Sequence, residues 1–589
     1  MLPSTIKCWQ TVSLSPHFSL FKSMNKSRFT YRFLSFGALL ILLQLLVNPS
    51  NGHGQTMGLM QHDSLLYEAY TLFSPTESTY LIDNCGHLIN EWTCDTRPGL
   101  SAYLLENGQL LRTGRMVSEV FSGGGNGGLL SLWDWDSNML WGITISNDTI
   151  HSHHDVEPLP SGNVLVICWE YMTEEESIQA GRDPDNIDGA MWTTVVLELE
   201  PVGTNEANLV WQWRIWEHLI QDFDSTKDNY GVVSEHPELL DINFDLGEDA
   251  GPIHKDWLHC NAVTYNAEFD QIMISAREAN EVFVIDHSAS TVEITGHTGG
   301  AHGRGGDLIY RFGNPQNYDR GTEDDRKLFL QHDCRWVKDG YPGEGGITVF
   351  NNLGGQTESH VDLFYPPMDS LGFYDDPGTE AYGPSEFGWH YEAPMFFSHN
   401  ISGAQRLANG NTLICEGAEG RFFEVTEEGV QVWEYINPVG FFGPLQQGQA
   451  PTQNPCFRAN KYELDFPGFA GHDLTPGAPI ELMPLDYECA PFATDTTEIK
   501  DTVITAIEIN SLLLNEGRIL TIYPNPFSDI LHIESTLSET RIDILDLHGR
   551  LVYTGRGSQA IDTMPWPSGL YLLRTKDNNQ TTTKKIIKL

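Results

Sequence analysis

The chain of 589 residues has few basic residues, because 34 Lys and Arg stand against 80 Asp and Glu, which gives a formal net charge of −46. A nucleic-acid-binding protein needs a basic surface to displace counterions from phosphates, so the charge argues against that class. Charged residues are also scarce, at 19%, whereas 40% of the residues are hydrophobic and 15 are Trp. This composition argues against a disordered chain and indicates a large folded core.

Long apolar runs are absent except near the N-terminus, where residues 33–47 follow a basic stretch and precede a turn-forming segment. This order is typical of a secretory signal peptide. We therefore predict a signal peptide over residues 1–54, with Met24 as an alternative start, and no transmembrane span in the mature chain. The apolar run is short for a membrane-spanning helix, and an uncleaved anchor is the alternative interpretation.

Cysteine is sparse and no CxxC spacing occurs, so the spacing does not support a zinc site. Export places the eight cysteines that follow the leader in a compartment where disulfides persist. The expected disulfides, in order of preference, are Cys85–Cys94 and Cys456–Cys489. Cys168 and Cys415 lie in apolar runs, and we expect them to be buried thiols.

Gly and Pro are plentiful, at 55 and 31 residues, and they punctuate a series of similar β units. Each unit has an aromatic strand, an irregular stretch, a His or Ser, and then two strands joined by a glycine turn. Gly162 and Gly410 occupy the same offset after His154 and Ser402. Five clear units begin near Ser101, His154, His259, His332 and Ser402, and a sixth is expected near residues 430–465.

Such units, recurring over about 400 residues, predict an all-β fold in which a six-bladed β-propeller occupies residues 55–490. A pair of β-sandwiches is the alternative, but it would not require the same His or Ser before the turn in each unit. An acidic linker is predicted at residues 491–518. The alternation of apolar residues and short turns at residues 519–589 then indicates a small C-terminal β-sandwich.

Histidine occupies the start of the repeated strand in three units, at His154, His259 and His332. The innermost strands of a propeller line a central channel, so we expect these imidazoles to converge on a funnel. Histidine acts as a nucleophile, general acid or metal ligand near neutral pH. A single such histidine is more often structural, but the same position in three blades favours a site. A metal site made of histidines alone is the competing interpretation.

Several motifs in this region resemble one enzyme family. They include HHDV at 153–156, DWLHCN at 256–261, QHD at 331–333 and SGAQRL at 402–407. In these motifs the chain resembles bacterial arylsulfotransferases of the arylsulfate sulfotransferase type, which are six-bladed propellers. The resemblance implies transfer of a sulfuryl group from a phenolic sulfate ester to a phenol acceptor, through a sulfohistidine and without a nucleotide sulfate donor. The implied partners are an aryl sulfate donor and a phenol.

The resemblance also implies a nucleophilic histidine, assisted by two further histidines and an arginine that bind the sulfuryl oxygens and handle the phenol proton. His259 and His332 match two histidines of the family through their motifs, and His399 is the nearest match to the nucleophile. The arginine is expected shortly after His332, but residues 350–355 contain none. The candidates to replace it are Arg421, which we prefer, Arg277 and Arg304.

The remaining expectations concern the substrate and ions. The expected substrate-binding residues are His154, Arg277, Trp257 and Phe397. We expect no organic cofactor and no catalytic metal. The carboxylates of residues 183–189 suit Ca²⁺, but the loop lacks the Glu of an EF-hand, and a solvated acidic loop is favoured. The glycine run at 121–128 lacks the Lys-Ser/Thr of a phosphate loop and is expected to be a turn at a blade edge.

The C-terminal region carries a second resemblance. YPNPF at 523–527, GLYLL at 569–573 and the basic KKIIKL at 584–589 closely resemble the type A sorting domain of the type IX secretion system. The resemblance implies the type IX machinery as a partner, passage through a Gram-negative outer membrane, removal of this domain, and release or attachment at the cell surface. An ordinary appended sandwich is the alternative.

Two other functions compete with the transferase. One is a non-catalytic cell-surface propeller that binds a glycan or a protein, and the other is an ester hydrolase in which water replaces the phenol. A convergent His/Arg cluster in the funnel would favour an enzyme, whereas a funnel plugged by side chains would favour a binding protein.

Overall fold

The computed structural model describes residues 55–244, 255–355, 358–485 and 489, and parts of 510–588. The chain divides into two compact units, Met1–Ala493 and Thr494–Leu589. The predicted signal peptide and most of the predicted linker lie outside the described residues. No helix in the described part of the chain is long and apolar enough to cross a membrane.

The larger unit is a six-bladed β-propeller, as predicted, and each blade is an antiparallel sheet whose four strands follow one another from the channel outward. In that order, blade 1 consists of Ala459–Glu463, Ala69–Phe73, Ser78–Ile82 and Leu88–Thr93. Blade 2 consists of Pro98–Leu104, Leu110–Arg115, Gly128–Trp133 and Met139–Thr144. Blade 3 consists of Ile150–Pro158, Val164–Thr173, Ala190–Val202 and Glu206–Arg214.

The other three blades follow in chain order. Blade 4 consists of Cys260–Asn266, Gln271–Ala276, Glu281–Asp286 and Leu308–Phe312. Blade 5 consists of His332–Trp336, Ile347–Asn351, His360–Phe364 and Trp389–Tyr391. Blade 6 consists of Gly403–Arg406, Thr412–Glu416, Arg421–Val425 and Gln431–Ile436, with Gly58–His62 added at its outer edge. The smaller elements are the helix Glu174–Gln179, the strand pair Leu219–Ile220 and Leu240–Asp241, and the strand pair Val439–Gly440 and Gly443–Pro444.

The sixth unit differs from the contiguous repeat predicted near residues 430–465. Gln431–Ile436 completes blade 6, whereas Ala459–Glu463 pairs with Ala69–Phe73 from the other end of the propeller. One strand from the end of the propeller and three from its beginning therefore close the ring. The prediction was wrong because a blade assembled from both ends leaves no contiguous repeat in the sequence.

Aromatic residues of the fourth strands join the blades to one another. In every blade such a residue donates a hydrogen bond of 2.7–3.0 Å to a backbone carbonyl at the connection between the third and fourth strands of the next blade. The pairs are Trp92–Asp134, Trp141–Glu206, Trp211–Ala289, Tyr310–Gly383, Trp389–Glu427 and Trp433–Asn84. Trp and Tyr suit this position because they bury a large ring and still satisfy one polar donor. The aromatic strands of the sequence repeat are therefore the contacts between blades.

The repeated glycine is a turn between the first and second strands of a blade. Gly108, Gly162 and Gly410 have φ angles of +82°, +90° and +90°. Each donates its N–H at 2.9 Å to the carbonyl of a leucine three residues earlier. Residues with a side chain rarely adopt this φ, so the turn requires glycine.

The smaller unit is the predicted β-sandwich. One sheet contains Asn510–Leu514, Arg518–Tyr523, Ile530–Ser535 and Gln559–Asp562. The other contains Leu551–Arg556, Arg541–Leu545, Gly569–Asp577 and Gln580–Lys588. Leu531 and Ile533 of the first sheet share one buried core with Ile542 and Leu573 of the second, which is the packing of two sheets face to face.

The cysteine pairing differs from the prediction. Cys85 forms a disulfide with Cys489, while Cys94 and Cys456 are buried free thiols. Cys85 precedes Leu88–Thr93 and Cys94 follows it, so roughly 20 Å of strand separates them, which a disulfide cannot span. The predictions that Cys168 and Cys415 are buried thiols are confirmed.

Candidate active site

The histidines that the repeat singled out come together at one end of the channel. His154, His259 and His332 lie on or beside the inner strands of blades 3, 4 and 5. The rings of His154 and His259 meet edge to face, with 4.6 Å between their centroids. Their φ angles are +50° and +46°, and the inner strands of all three blades change register at this level. These bulges re-aim side chains that would otherwise alternate between the faces of the sheet.

His259 is held by a carboxylate. Its Nδ1 donates to Asp256 Oδ2 at 2.6 Å, and Trp169 Nε1 donates to Asp256 Oδ1 at 2.8 Å. Burial alone would raise the pKa of Asp256, but the neighbouring His259 and these hydrogen bonds hold it below its usual value. Within the described residues, Nε2 of His259 makes no hydrogen bond, and the side chain is 18% exposed. Nε2 is therefore the atom of this ring that is available to a ligand in the funnel.

His332 is held by an amide. Its Nδ1 donates to Asn352 Oδ1 at 2.7 Å, and its Nε2 accepts the Ile401 N–H at 3.2 Å. Asn352 is itself fixed because its Nδ2 donates to the Ser398 carbonyl at 2.7 Å. Burial and the nearby Arg277 guanidinium hold the pKa of His332 well below its usual value. His332 is therefore a neutral imidazole at neutral pH.

His153 and His154 form a second neutral pair. Their Nδ1 atoms lie 2.9 Å apart, so one ring donates to the other. The His153 ring stacks on Trp169 at 4.3 Å between centroids. Burial lowers the pKa of His153 to about 3, and burial together with the neighbouring His259 holds the pKa of His154 well below its usual value. We call His153, His154, His259 and His332 the histidine cluster.

Of the arginines considered from the sequence, Arg277 is the one that the structure brings to the cluster. It lies in the turn between the second and third strands of blade 4, forms an ion pair with Glu278, and lowers the pKa of His332. Arg421 lies in the third strand of blade 6, away from the channel, and Arg304 donates to the Leu308 carbonyl. The Arg421 guanidinium is bound by Glu416, Gln431 and Glu434. The structure therefore does not support the preferred choice of Arg421, because its strand is the third of the blade and does not line the channel.

A cavity of about 500 Å³ opens beside the cluster. Phe457 lines it, with its ring centroid 6.2 Å from that of His154, and so does Ile401, whose N–H binds His332. Arg97, Arg115, His399 and the thiol of Cys456 are the charged or titratable groups that line it. His399 is exposed there and does not join the cluster. The cavity is large enough for an aromatic ring, and it adjoins the cluster through Phe457 and Ile401, while the four cluster histidines are not among its lining residues.

The two aromatic residues expected to bind the substrate, Trp257 and Phe397, do not line this cavity. Trp257 is 1% exposed and packs against Phe244, at 5.5 Å between ring centroids, in the core between blades 3 and 4. Phe397 is 36% exposed, and its N–H donates to Glu416 Oε1 at 2.9 Å on blade 6. Phe457, which the sequence did not single out, takes the place expected for them.

The glycine run at residues 121–128 packs against the histidine cluster. The sequence predicts only a turn at a blade edge and not this contact. A Cβ atom on Gly125 would lie 2.0 Å from the His154 ring, and one on Gly124 would lie 3.4 Å from the His259 ring. The His154 N–H donates to the Gly125 carbonyl at 2.8 Å. Glycine is required at position 125, where φ is +77° and the backbone covers the His154 ring, whereas the 3.4 Å at Gly124 is an ordinary contact.

An ion network fills the channel directly beneath the cluster. Arg458 NH1 donates to Asp155 Oδ2 at 2.6 Å, and its Nε forms an ion pair with Asp333 Oδ1 at 2.9 Å without hydrogen-bond geometry. Arg458 NH2 also donates to the Asn261 carbonyl at 3.0 Å. Burial disfavours the charge, but Asp155 and Asp333 hold the pKa of Arg458 well above its usual value. These three charged residues form the Arg458 network, which the sequence did not reveal.

The histidine cluster is not one of the metal-ligand groupings found among the described residues. Those groupings, which bring three ligand atoms within 4.8 Å of one another, include neither the cluster nor the acidic loop at 183–189. In that loop Asp183 instead caps the short turn Pro184–Asn186, because its side chain accepts the Asp185 N–H at 2.9 Å.

Two family models match the chain. The family model described as Arylsulfotransferase (ASST) matches residues 77–439, and the model described as Secretion system C-terminal sorting domain matches residues 521–589. No curated protein matches the chain.

The similar solved structures are distant. A protein of unknown function from Bacteroides caccae shares 10% identity over 67% of this chain and 98% of its own, with a TM-score of 0.36. The β-propeller domain of Cps50 (Swd1) from Myceliophteria thermophila shares 10% identity over 66% of this chain and 91% of its own, with a TM-score of 0.32. Because the first family model spans more than half of the chain, the protein belongs to the arylsulfotransferase (ASST) family and carries a type IX secretion sorting domain at its C-terminus.

Proposed function

We propose that the protein transfers a sulfuryl group from a phenolic sulfate ester to a phenol through a covalent histidine intermediate. The observation that carries this proposal is His259, whose Nδ1 is fixed by Asp256 while its Nε2 has no hydrogen-bond partner among the described residues. A histidine whose Nδ1 is oriented by a carboxylate acts as a nucleophile through Nε2 in its neutral form. Family membership supports the same class of activity.

In the first half-reaction, Nε2 of His259 attacks sulfur. An N–S bond forms, the bond between sulfur and the aryl oxygen breaks, and the electron pair leaves with the phenolate. A phenol has a pKa of about 10, so the phenolate is a fair leaving group and takes its proton from water. Asp256 balances the positive charge that develops on the imidazole, and the Arg277 guanidinium is the cation available to the sulfuryl oxygens.

In the second half-reaction, the acceptor phenol attacks the sulfohistidine. The phenol gives its proton to a neutral imidazole. His332 Nε2 is suited to accept it, because the only hydrogen bond to this nitrogen among the described residues is the one from the Ile401 N–H, at 3.2 Å. The phenol oxygen binds sulfur, the N–S bond breaks, and its electron pair returns to His259. The proton then leaves His332 for solvent.

The cavity beside the cluster suits the phenol ring. Phe457 offers an aromatic surface for the ring. Arg97 and Arg115 also line the cavity, so it carries two cations although the chain as a whole is strongly acidic. Local positive charge raises the concentration of an anionic ligand such as an aryl sulfate. We infer that donor and acceptor use this cavity in turn.

The test measures phenol release and the covalent intermediate together. The purified protein and its His259→Ala and His399→Ala variants are incubated with 4-nitrophenyl sulfate, with and without a phenol, and the stopped protein is mapped by mass spectrometry. We expect acceptor-dependent release and a sulfuryl adduct on the peptide that contains His259. An adduct on His399 would instead identify the nucleophile implied by the family resemblance. The exposed His236, whose Nδ1 pairs with Glu238 Oε1 at 2.9 Å, provides the control variant His236→Ala.

A non-catalytic binding propeller is the second candidate, because the Arg458 network plugs the channel beneath the cluster. Under this alternative the cavity holds an aromatic anion that is not turned over. Binding of 4-nitrophenyl sulfate without release in any variant, measured by calorimetry, would support it. Release without any acceptor would instead indicate a hydrolase.

The sorting domain indicates secretion, and we infer that the propeller works outside the cell, either released or attached to the outer-membrane surface. In this proposal the type IX machinery recognises the sandwich and the domain is then removed. Deletion of residues 519–589 should leave the protein inside the cell, which fractionation of the native host would show. Secretion of the truncated chain would refute this role of the domain.

A further inference from the structure

Blade 5 carries a second cluster of histidines and carboxylates on its two outer strands. His360 and Asp362 alternate along His360–Phe364 and therefore share one face of the sheet. His390 and Glu392 alternate in the same way at the neighbouring strand, and the register places His390 opposite Asp362. We call these four residues the blade 5 cluster.

Ligand atoms of His360, Asp362 and His390 lie within 4.8 Å of one another, and one oxygen of Glu392 lies close to both imidazoles. Glu392 Oε2 lies 3.5 Å from His360 Nε2 and 3.7 Å from His390 Nε2. Zinc binds nitrogen and oxygen ligands at about 2.0–2.1 Å in a tetrahedron, which places two such ligands roughly 3.4 Å apart. Both distances from Glu392 Oε2 to an imidazole nitrogen are therefore close to the separation of two ligands on one ion.

Asp362 orients the His390 ring by a hydrogen bond with the nitrogen that faces away from Glu392. His390 Nδ1 donates to Asp362 Oδ1 at 2.6 Å, which leaves the lone pair on Nε2. Asp362 is fully buried, and its other oxygen accepts Asn351 Nδ2 at 3.1 Å. A carboxylate that orients a histidine through its second nitrogen is the usual outer partner of a zinc ligand.

We propose that His360, His390 and Glu392 bind a divalent transition-metal ion of the zinc class, with the fourth position open to water. The missing CxxC spacing bears only on thiolate sites and not on this donor set of two imidazoles and one carboxylate. Trp389–Tyr391 is three residues long and returns to the blade after the excursion at residues 365–388. The ion therefore fastens this short outer strand to its neighbour, and its role is structural.

The test titrates the full chain with Zn²⁺ after removal of metal by a chelator, in competition with a chromophoric chelator. We expect one zinc equivalent to be lost in both His360→Ala and His390→Ala, and binding weakened about 10–100-fold in Asp362→Asn. Glu392 is exposed, so Glu392→Gln weakens binding without a risk to folding. Co²⁺ in place of zinc should give the absorption of a four-coordinate site, and zinc should raise the melting temperature of the wild-type chain alone.

Two controls keep the result unambiguous. His236→Ala removes an exposed histidine that also contacts a glutamate, and it should leave the zinc equivalent intact. His259→Ala should leave it intact as well, because that residue belongs to the funnel. No zinc bound above the level of the His360→Ala His390→Ala double variant, or zinc lost only in His259→Ala, would overturn the proposal.

Discussion

The histidine cluster and the Arg458 network are built from adjacent residues of the same strands, but they differ in charge and in role. His154 is followed by Asp155, and His332 is followed by Asp333. In each pair the histidine belongs to the funnel, whereas the aspartate binds Arg458 in the channel. His154 and Asp333 have φ angles of +50° and +56°, so the backbone bends at both pairs.

Three histidines of the cluster are neutral, whereas the network is ionised. Burial lowers the pKa of His153, His154 and His332, and it leaves them uncharged, while Arg458 stays charged because two carboxylates face it. A buried charge is tolerated only when it is paired, whereas a neutral imidazole can be buried with a nitrogen left free for chemistry. We infer from this contrast that the network rigidifies the strands on which the reactive histidines are displayed.

The largest effect should come from breaking the network. Arg458→Met leaves Asp155 buried without a cation and leaves Asp333 paired with Arg335 alone, and we expect the free energy of unfolding to fall by about 3–5 kcal/mol. Urea denaturation followed by Trp fluorescence measures this loss. Lys338→Met breaks an exposed ion pair with Glu463 and should cost less than about 1 kcal/mol. A similar small loss for Arg458→Met would show that the network does not stabilise the ring.

The next effect should appear in catalysis and not in stability. Asp256→Asn keeps a side chain beside His259 Nδ1 but removes the charge that balances the imidazolium, and we expect kcat to fall about 10–100-fold. Steady-state kinetics with 4-nitrophenyl sulfate, and urea denaturation of the same variant, separate the two readouts. Asp183→Asn, in the acidic loop of blade 3, should change neither. If Asp256→Asn lowered the free energy of unfolding but left kcat unchanged, the contrast between cluster and network would fail.

Sequence reasoning found the parts of the fold that leave a local signature. The glycine turns at Gly162 and Gly410 and the aromatic fourth strands repeat within each blade, so they revealed the propeller. The closure of the ring and the Cys85–Cys489 disulfide join residues about 400 positions apart. Such pairings depend on three-dimensional proximity that no short pattern in one sequence encodes.

The same distinction holds at the site. His154, His259 and His332 were selected by their shared blade position, and Asp256 stands only three residues before His259, so the DWLH spacing was a usable signal. Asn352 follows the second strand of blade 5, 20 residues after His332, and Arg458 precedes the inner strand of blade 1, so no short motif placed either of them at the site. Arg421 was preferred because it followed a repeated strand, but the strand that holds it is third in its blade and does not line the channel.

The smallest effect should be the pH dependence that the cluster imposes on stability. Burial lowers the pKa of His153 to about 3, whereas the unfolded chain has a histidine pKa of about 6.5. Between these values the unfolded state binds a proton that the folded state excludes, so stability is present above pH 6.5 and is lost as the pH falls. One such residue contributes up to about 1.4 kcal/mol per pH unit. His153→Phe keeps the stacking on Trp169 but removes the titration, so the variant should lose less stability than the wild type between pH 7.5 and about pH 5.5 in urea denaturation. Equal losses in the two proteins would mean that His153 is not held neutral, and the contrast between a neutral cluster and an ionised network would then rest on His154 and His332 alone.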